Sequence, residues 1–447
     1  MRYCMRKIFC LLLLLCLLPL PALSEAEDTL PEALRVSETI ETQSLKGSVY
    51  VNTAYPHTAN AAVDGEMAQL LDAMRERALP SLPKKAGNSK EGAYLDVQPS
   101  VYRTGSSWMS FLSTAIIRDS RKQTYVDFDA RAYDIATGRR LTLHDVLRDE
   151  DGWRIVGEAV RAQLEAYFPD EAASQAELDS LSSPASLEFA GFTLNTAFLM
   201  LHYRADRLYA GKTTLMHVRI PYTDLAGHMT EEALRQTDNS MRKLVALTYD
   251  DGPVVGRTMR VVRNLRAGGA NATFFIVGER IHYCPNEVTL VHDTGFDVAS
   301  HNWVHVYKNA NRGKVIQYRD KLNAELYKYI GTGVRIMRAP GGHEQIFIDE
   351  NVNLPLIHWS TISKSKDNKV TDPAAEARRL ASGAKDGDII LLHDIYVGTD
   401  KMAHTLPGLL ADRGFLCVTV EELFAAKGLP LLPNEVYWDT RNNESKH

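Results

Sequence analysis

The 447 residues are 45% hydrophobic and 24% charged, the balance of soluble globular protein, which excludes a largely disordered chain and a polytopic membrane protein. The length suggests two or three domains, each able to bury an ordinary core. The net charge of -5 provides no strongly basic surface for general nucleic-acid binding.

Arg2, Arg6 and Lys7 precede an apolar run, Ile8–Leu18, and then Pro19, Pro21 and Ala22-Leu23-Ser24. This is the pattern of a secretory signal peptide over residues 1–24, with cleavage expected after Ser24. The apolar run is short for a membrane span, which needs about 20 residues. An uncleaved N-terminal anchor is the alternative, and it is the one membrane attachment expected. Removal of residues 1–24 takes away three cations and leaves a net charge of -8. It also removes Cys4, Cys10 and Cys16. Cys284 and Cys417 are too few for a disulfide scaffold, and no Cys-x-x-Cys pair offers a thiolate zinc site.

Residues 25–45 hold six Asp or Glu and predict a flexible leader. Gly47–Thr53 predicts a strand, and the apolar spacing from Ala61 to Leu79 predicts a helix. Strand-rich sequence runs from Ala93 to Leu147, clearest at Ser110–Ile117 and Thr124–Tyr133. Trp153–Phe168 predicts an amphipathic helix. Further strands are predicted near Phe192–Tyr203 and Thr213–Pro221. Residues 46–228 thus read as an α+β domain whose His and Asp residues are scattered singly, and 229–242 as a linker or short helix. From Lys243, short strands alternate with helices: Leu244–Thr248, Ala272–Val277, Asp297–Ser300, Arg335–Ala339, Leu356–Trp359, Asp388–His393 and Phe415–Val420. This alternation predicts a parallel sheet covered by helices over 243–428. A polar tail, 429–447, is expected to pack only in part.

Four strings sit at the C-terminal ends of these strands, where such folds place chemistry. Leu244–Pro253 ends a buried strand in two adjacent carboxylates, Asp250 and Asp251, and a Gly-Pro turn. One could bind a metal while the other acts as a base, although an Asp-rich helix cap would read the same. His301 and His305 are four apart, a spacing common in metal pairs and also found in surface histidines. With Asp251 they would form a two-His, one-carboxylate site suited to hydrolytic zinc or to non-haem iron. In Arg335–His343, Arg338 could orient a carboxylate, and Gly341 and Gly342 free the backbone to approach a ligand. In Asp388–Asp394, His393 ends an apolar strand and could act as a general acid. Cys417, within a strand pattern, reads as an inert buried thiol.

In this order the strings Thr-Tyr-Asp-Asp-Gly-Pro, His-x-x-x-His, Arg-x-Pro-x-Gly and Leu-Leu-His-Asp resemble the NodB-homology polysaccharide deacetylases, carbohydrate esterase family four. The resemblance covers about 243–427. It implies an α/β fold: a distorted (β/α) barrel catalytic domain, here preceded by a smaller α+β domain similar to the extension of some secreted peptidoglycan deacetylases. It implies a divalent metal, zinc with cobalt as an alternative, held by Asp251, His301 and His305. It assigns Asp250 as base, Arg338 as its orienter, His393 as acid and the Gly341 N–H to the oxyanion, with Tyr249, Pro340 and Leu391 beside substrate. The implied activity is removal of N-acetyl groups from a cell-wall glycan, most readily peptidoglycan at N-acetylglucosamine or N-acetylmuramic acid. The protein is expected to be secreted or envelope-associated, with no nucleic-acid partner.

Three positions depart from that resemblance. Asn302 stands where Ser or Thr is usual, and Gly341 where an aromatic is usual. In Trp359–Asp367, Ile362 or Lys364 stands near the position of a carboxylate that tunes the acidic His. Asp367 or Asp394 could replace it. The altered fourth string keeps two alternatives open, a catalytically silent glycan-binding or sensing protein and an O-acetyl esterase. His343 is expected at a surface turn. The oligomeric state is not legible.

Overall fold

The computed structural model of the protein describes residues 29–87, 92–119, 122–306, 311–363 and 370–441. The expected signal peptide, Lys364 and Asp367 lie outside them.

The N-terminal sheet runs in chain order: β1 (Ser37–Leu45), β2 (Val49–His57), β3 (Ala93–Thr104), β4 (Trp108–Asp119), β5 (Lys122–Asp134) and β6 (Arg139–Arg140). Residues 37–45, expected within a flexible leader, instead form an edge strand. They pair antiparallel with β2 through a turn in which Gly47 and Ser48 take positive φ, 77° and 59°. The strand lacked a sequence signal because almost every side chain in it is exposed. Backbone pairing, rather than an apolar face, holds it. Just upstream, Leu30 and Leu34 are buried in a core with Leu416 and Phe424, so this stretch is structured at both ends.

β2 and β3 are parallel and require a crossover, which the helix Ala61–Ala78 supplies. Asn60 caps it by accepting from the Ala62 N–H. Its Val63, Met67, Leu71 and Met74 bury against Val97, Phe111 and Tyr133 of the sheet. A second, three-stranded antiparallel sheet holds β7 (Phe192–Leu194), β8 (Phe198–Arg204) and β9 (Leu215–Pro221). The run Phe192–Tyr203 breaks into two strands because Asn195 Oδ1 accepts from the Ala197 and Phe198 N–H groups at 2.9 and 2.6 Å, which closes a turn. The helix Glu150–Glu165 packs its Val156, Val160 and Leu164 into the same core as β8 and β9.

The remaining strands are β10 (Lys243–Asp250), β11 (Thr273–Ile276), β12 (Asp297–Ser300), β13 (Leu356–Ile357), β14 (Thr361–Ile362), β15 (Asp388–His393), β16 (Phe415–Val418) and β17 (Val436–Tyr437). The parallel order is β12-β11-β10-β15-β14, with β16 also on β10. Single bridges from Ser300 to Met337 and from Met337 to Leu356 carry the pairing onward from β12 to the 356–362 segment. The path therefore returns towards β15 as a distorted barrel. Arg335–Ala339, expected as a strand, contributes only its Met337 bridges. Phe415–Val420 stops at Val418 because Thr419 caps a helix, Val420–Ala426, in a capping box with Glu422. The tail pairs in part, β17 against β13.

Strand alternation sorts the barrel residues. Val245, Leu247, Tyr249, Ile390 and Leu392 face the covering helices. Leu244, Ala246, Phe275, Ala299, Ile336, Ile357 and Ile389 form the interior core. Continuing the interior rows by two or four residues reaches Asp250, His301, Arg338, Trp359 and His393. The sequence thus places its chemical groups on top of an apolar plug.

The N-terminal sheets pack directly on this barrel. Arg219 of β9 pairs with Asp297 of β12 and, at 2.9 Å, with Glu421. Asp293, fully buried, accepts from Thr214 Oγ1 at 2.5 Å and from the Leu215 N–H at 3.0 Å. The helix Arg257–Ala267 lies under β3 and β4, where Arg263 pairs with Asp96 and Arg118 meets Asp96 at 2.7 Å.

Candidate active site

β10 delivers Asp250 inward as the last residue of the strand. The next residue, Asp251, adopts φ 73°, a left-handed conformation that Asp tolerates better than most residues. That turn makes two adjacent carboxylates diverge. Asp250 stays with Arg338, and Asp251 swings to the histidines.

Asp251, His301 and His305 form one group whose candidate ligand atoms lie within 4.8 Å of one another. His301 Nε2 and His305 Nε2 are 3.4 and 3.1 Å from Asp251 Oδ1, and the two rings lie 5.1 Å apart. The histidine spacing works without a helix. β12 ends at Ser300, and Asn302 at φ 68° turns the chain so that His305 returns beside His301. His301 Nδ1 donates to the Arg338 carbonyl at 2.9 Å. This fixes the tautomer and leaves the Nε2 lone pair facing the group, the arrangement seen in metal-bound imidazoles. Asp251 Oδ1 is buried without a well-directed hydrogen bond. Burial raises the Asp251 pKa, but the two adjacent imidazoles outweigh it and hold the carboxyl well below the usual carboxylate range. Two imidazoles and an ionised carboxylate converging on one point fit a divalent metal.

Asp250 is 2% exposed and Arg338 is fully buried. Arg338 Nη1 donates to Asp250 Oδ1 at 2.7 Å and to Thr248 Oγ1 at 2.8 Å. Its Nε and Nη2 donate to the carbonyls of Ile357 and His358 at 3.0 and 2.9 Å. The guanidinium also lies 4.2 Å from the Phe275 ring centre. Burial lowers the Arg338 pKa, and Asp250 partly offsets this. The result is a carboxylate held in one orientation, with its second oxygen 3.7 Å from His301 Nε2. His393 completes the row: β10 and β15 pair Asp250 with His393 in register. These two side chains therefore rise from adjacent strands at the same level.

The third string forms a tight turn, Pro340–Gly342, with Gly341 at φ 68° and Gly342 at φ 70°. Here glycine is required. A Cβ at Gly342 would lie 2.7 Å from His358 Nε2. Pro340 is buried beneath the turn and Gly341 is exposed on it.

The family model for polysaccharide deacetylase matches residues 237–353. A peptidoglycan-N-acetylglucosamine deacetylase of Bacillus cereus is 30% identical over 198 residues, which are 41% of this chain and 90% of that relative. The chain belongs to the polysaccharide deacetylase family. A peptidoglycan-N-acetylglucosamine deacetylase of Listeria monocytogenes is 26% identical over 304 residues. That match covers 66% of this chain and spans 64% of the relative's length. Among solved structures, a family 4 acetyl xylan esterase from Clostridium thermocellum in complex with a cobalt ion is 29% identical with a TM-score of 0.42. It covers 45% of this chain and 100% of its own.

Against the deacetylase pattern, the departures acquire physical reasons. Asn302 sits at positive φ, where Asn is favoured over Ser or Thr. Its side chain bonds the Val304 carbonyl at 3.0 Å and Asn311 Oδ1 at 2.8 Å. The aromatic missing at Gly341 is matched by aromatics behind the turn. His358 is stacked between Trp359 and Trp438, with ring centres 3.8 and 3.4 Å away. Ile362 pairs with Leu391, two residues before His393. Asp394 turns towards the first string: Thr258 Oγ1 donates to it at 2.5 Å, and its carboxyl lies against Gly252. Burial pushes the Asp394 pKa up to about 7.

One of the expected substrate neighbours is placed elsewhere. Tyr249 is a correction: its ring is fully buried on the outward face, stacked 5.1 Å from Phe274. Strand alternation dictates this, since Asp250 faces inward. Leu391 is buried within β15 below His393. His343 is partly exposed after the turn. Thr248, Phe275 and the His358 carbonyl hold Arg338 in place and were not singled out from sequence. Thr248 was findable, because it lies two residues before Asp250 on the same face. The others come from strands distant in sequence.

Proposed function

We propose that the protein is a metal-dependent hydrolase that removes N-acetyl groups from a cell-wall glycan, most readily peptidoglycan. The observation that carries this is the Arg338-anchored Asp250 directly beside the Asp251, His301 and His305 group. Those three residues would hold a divalent ion, zinc or cobalt, which when bound supplies Lewis-acid polarisation of the acetamide carbonyl and acidification of water. Asp250, oriented by Arg338, takes a proton from the attacking water. The Gly341 N–H, on its positive-φ turn, faces the developing oxyanion. An amide nitrogen leaves poorly until it is protonated, and His393, in register with Asp250, delivers that proton.

The basic n-region and apolar run at residues 1–18 support export, which would put the enzyme where its glycan is. Among the described residues no helix is long and apolar enough to cross a membrane. The test is acetate release from N-acetylglucosamine oligomers and purified peptidoglycan by protein stripped of metal and reloaded with zinc or cobalt. Metal-dependent release is expected on at least one substrate. Folded Asp251→Ala protein that released acetate like wild type would overturn the mechanism.

One observation favours a second reading, an O-acetyl esterase. Ile362 places an alkyl chain close to where a tuning carboxylate would stand. Ester cleavage needs less leaving-group protonation. Release from acetylated xylan without release from N-acetyl oligomers would select it.

A further inference from the structure

A groove of about 680 Å³ lies far from the barrel's carboxylates in sequence, between the helix Glu150–Glu165 and the segment Ser182–Glu188. Its volume falls in the range of ligand pockets. Trp153, half-buried, forms part of its wall, its ring 4.8 Å from that of His144. Gly157 lets the two walls meet closely at the base, since a Cβ there would lie 2.7 Å from the Ser182 carbonyl. Phe189, next to the rim residue Glu188, is 84% exposed, an unusual position for a large aromatic with no role at a surface.

The rim is charged, but its charges are matched. Arg154 meets Glu158 at 2.9 Å. His144 Nε2 lies 3.7 Å from Glu188, and Arg161 pairs with Asp179. An excess of cations, which a nucleic acid or an anionic membrane would require, is absent from this rim. The groove is also lined by helical segments, so it offers no strand edge for an extended peptide. A flat aromatic ring flanked by solvent-exposed hydrogen-bonding charges suits a ligand with an apolar face and many hydroxyls.

We infer that this groove is a second binding site, for a saccharide chain. The sugar face rests on Trp153 while hydroxyls reach the Glu158 carboxylate and the Arg154 and Arg161 guanidinium groups. Its identity with the polymer acted on in the barrel rests on the proposed deacetylase activity, whereas the binding itself does not. The consequence is a chain that holds an insoluble glycan at one point and modifies it at another.

The experiment compares the full-length chain with Trp153→Ala and with Ala185→Trp, which fills the groove from an exposed rim position. Co-sedimentation with purified peptidoglycan is measured beside acetate release from soluble N-acetylglucosamine oligomers. Each variant is expected to bind the insoluble glycan at least fivefold more weakly. Release from the soluble oligomers should stay within twofold of wild type. Unchanged sedimentation in both variants, with wild-type melting midpoints, would overturn the proposal whether or not acetate is released. Weakened binding in both variants, with no acetate released by wild type, would uphold the groove and count against the deacetylase reading instead.

Discussion

His301 and Arg338 are joined by a hydrogen bond from the imidazole Nδ1 to the main-chain carbonyl, 2.9 Å long. It links the two halves of the site. One side of Arg338 sets the tautomer of a candidate metal ligand, and its guanidinium sets the orientation of Asp250. A disturbance at Arg338 should therefore be felt by both the base and the metal group.

Replacing Arg338 by Met is expected to destabilise the fold by about 3–5 kcal/mol, because it leaves the Asp250 carboxylate buried and unpaired. Arg338→Lys keeps the charge but loses the fork that reaches Thr248, Ile357 and His358. It should stay folded with kcat lowered at least tenfold. Denaturant midpoints and turnover on one acetylated substrate check both. Wild-type stability in Arg338→Met would contradict the pairing argument.

Gly342→Ala introduces a Cβ at φ 70°, close to His358 Nε2. The backbone conformation alone costs roughly 1–2 kcal/mol, and moving His358 disturbs the carbonyl that holds Arg338. A lower melting midpoint together with reduced kcat is expected. Gly408→Ala, within a helix and with open space around it, serves as the neutral comparison.

Much of this site was legible in the sequence because strand ends carry it. Asp250, Asp251, His301, Arg338 and His393 each terminate or follow an apolar run, and period-2 alternation assigns their side. The same rule, applied to Tyr249, would have turned it outward. The edge strand Ser37–Leu45 was illegible for the opposite reason. It is stabilised by backbone pairing, which leaves no pattern in side-chain polarity. The partners of Arg338 were hidden because they are carbonyls and rings from β11 and β13, set by tertiary register alone.

Burial pushes the Glu422 pKa up to about 8, so the native state keeps a proton that the unfolded chain loses above its ordinary value near 4.5. Stability contributed by this group is present at low pH and is lost as pH rises through that window. Glu422→Gln should flatten this part of the pH dependence. Its melting midpoint relative to wild type should rise between pH 5 and pH 8, which thermal melts at the two values would show. A constant difference would contradict the assignment.

Burial pushes the His202 pKa down to about 3. His202 of β8 bonds Thr193 of β7 at 2.9 Å and His217 of β9 at 2.8 Å. Here the unfolded chain takes up a proton below about 6.5 that the native state refuses, so stability falls as pH drops from there towards 3. His202→Gln should lose less stability than wild type between pH 7 and pH 5. Equal losses would show that His202 is not a source of the acid sensitivity.

We propose Asp250 as the base and Asp251, His301 and His305 as the residues that hold the metal. Asp250→Asn separates these roles, because it preserves shape and leaves the three ligands intact. The decisive measurement is zinc content and acetate release of this variant beside wild type. Wild-type zinc stoichiometry is expected, with release lowered by about 10²–10⁴-fold, the range for loss of a general base. Release at the wild-type rate with zinc bound would contradict it.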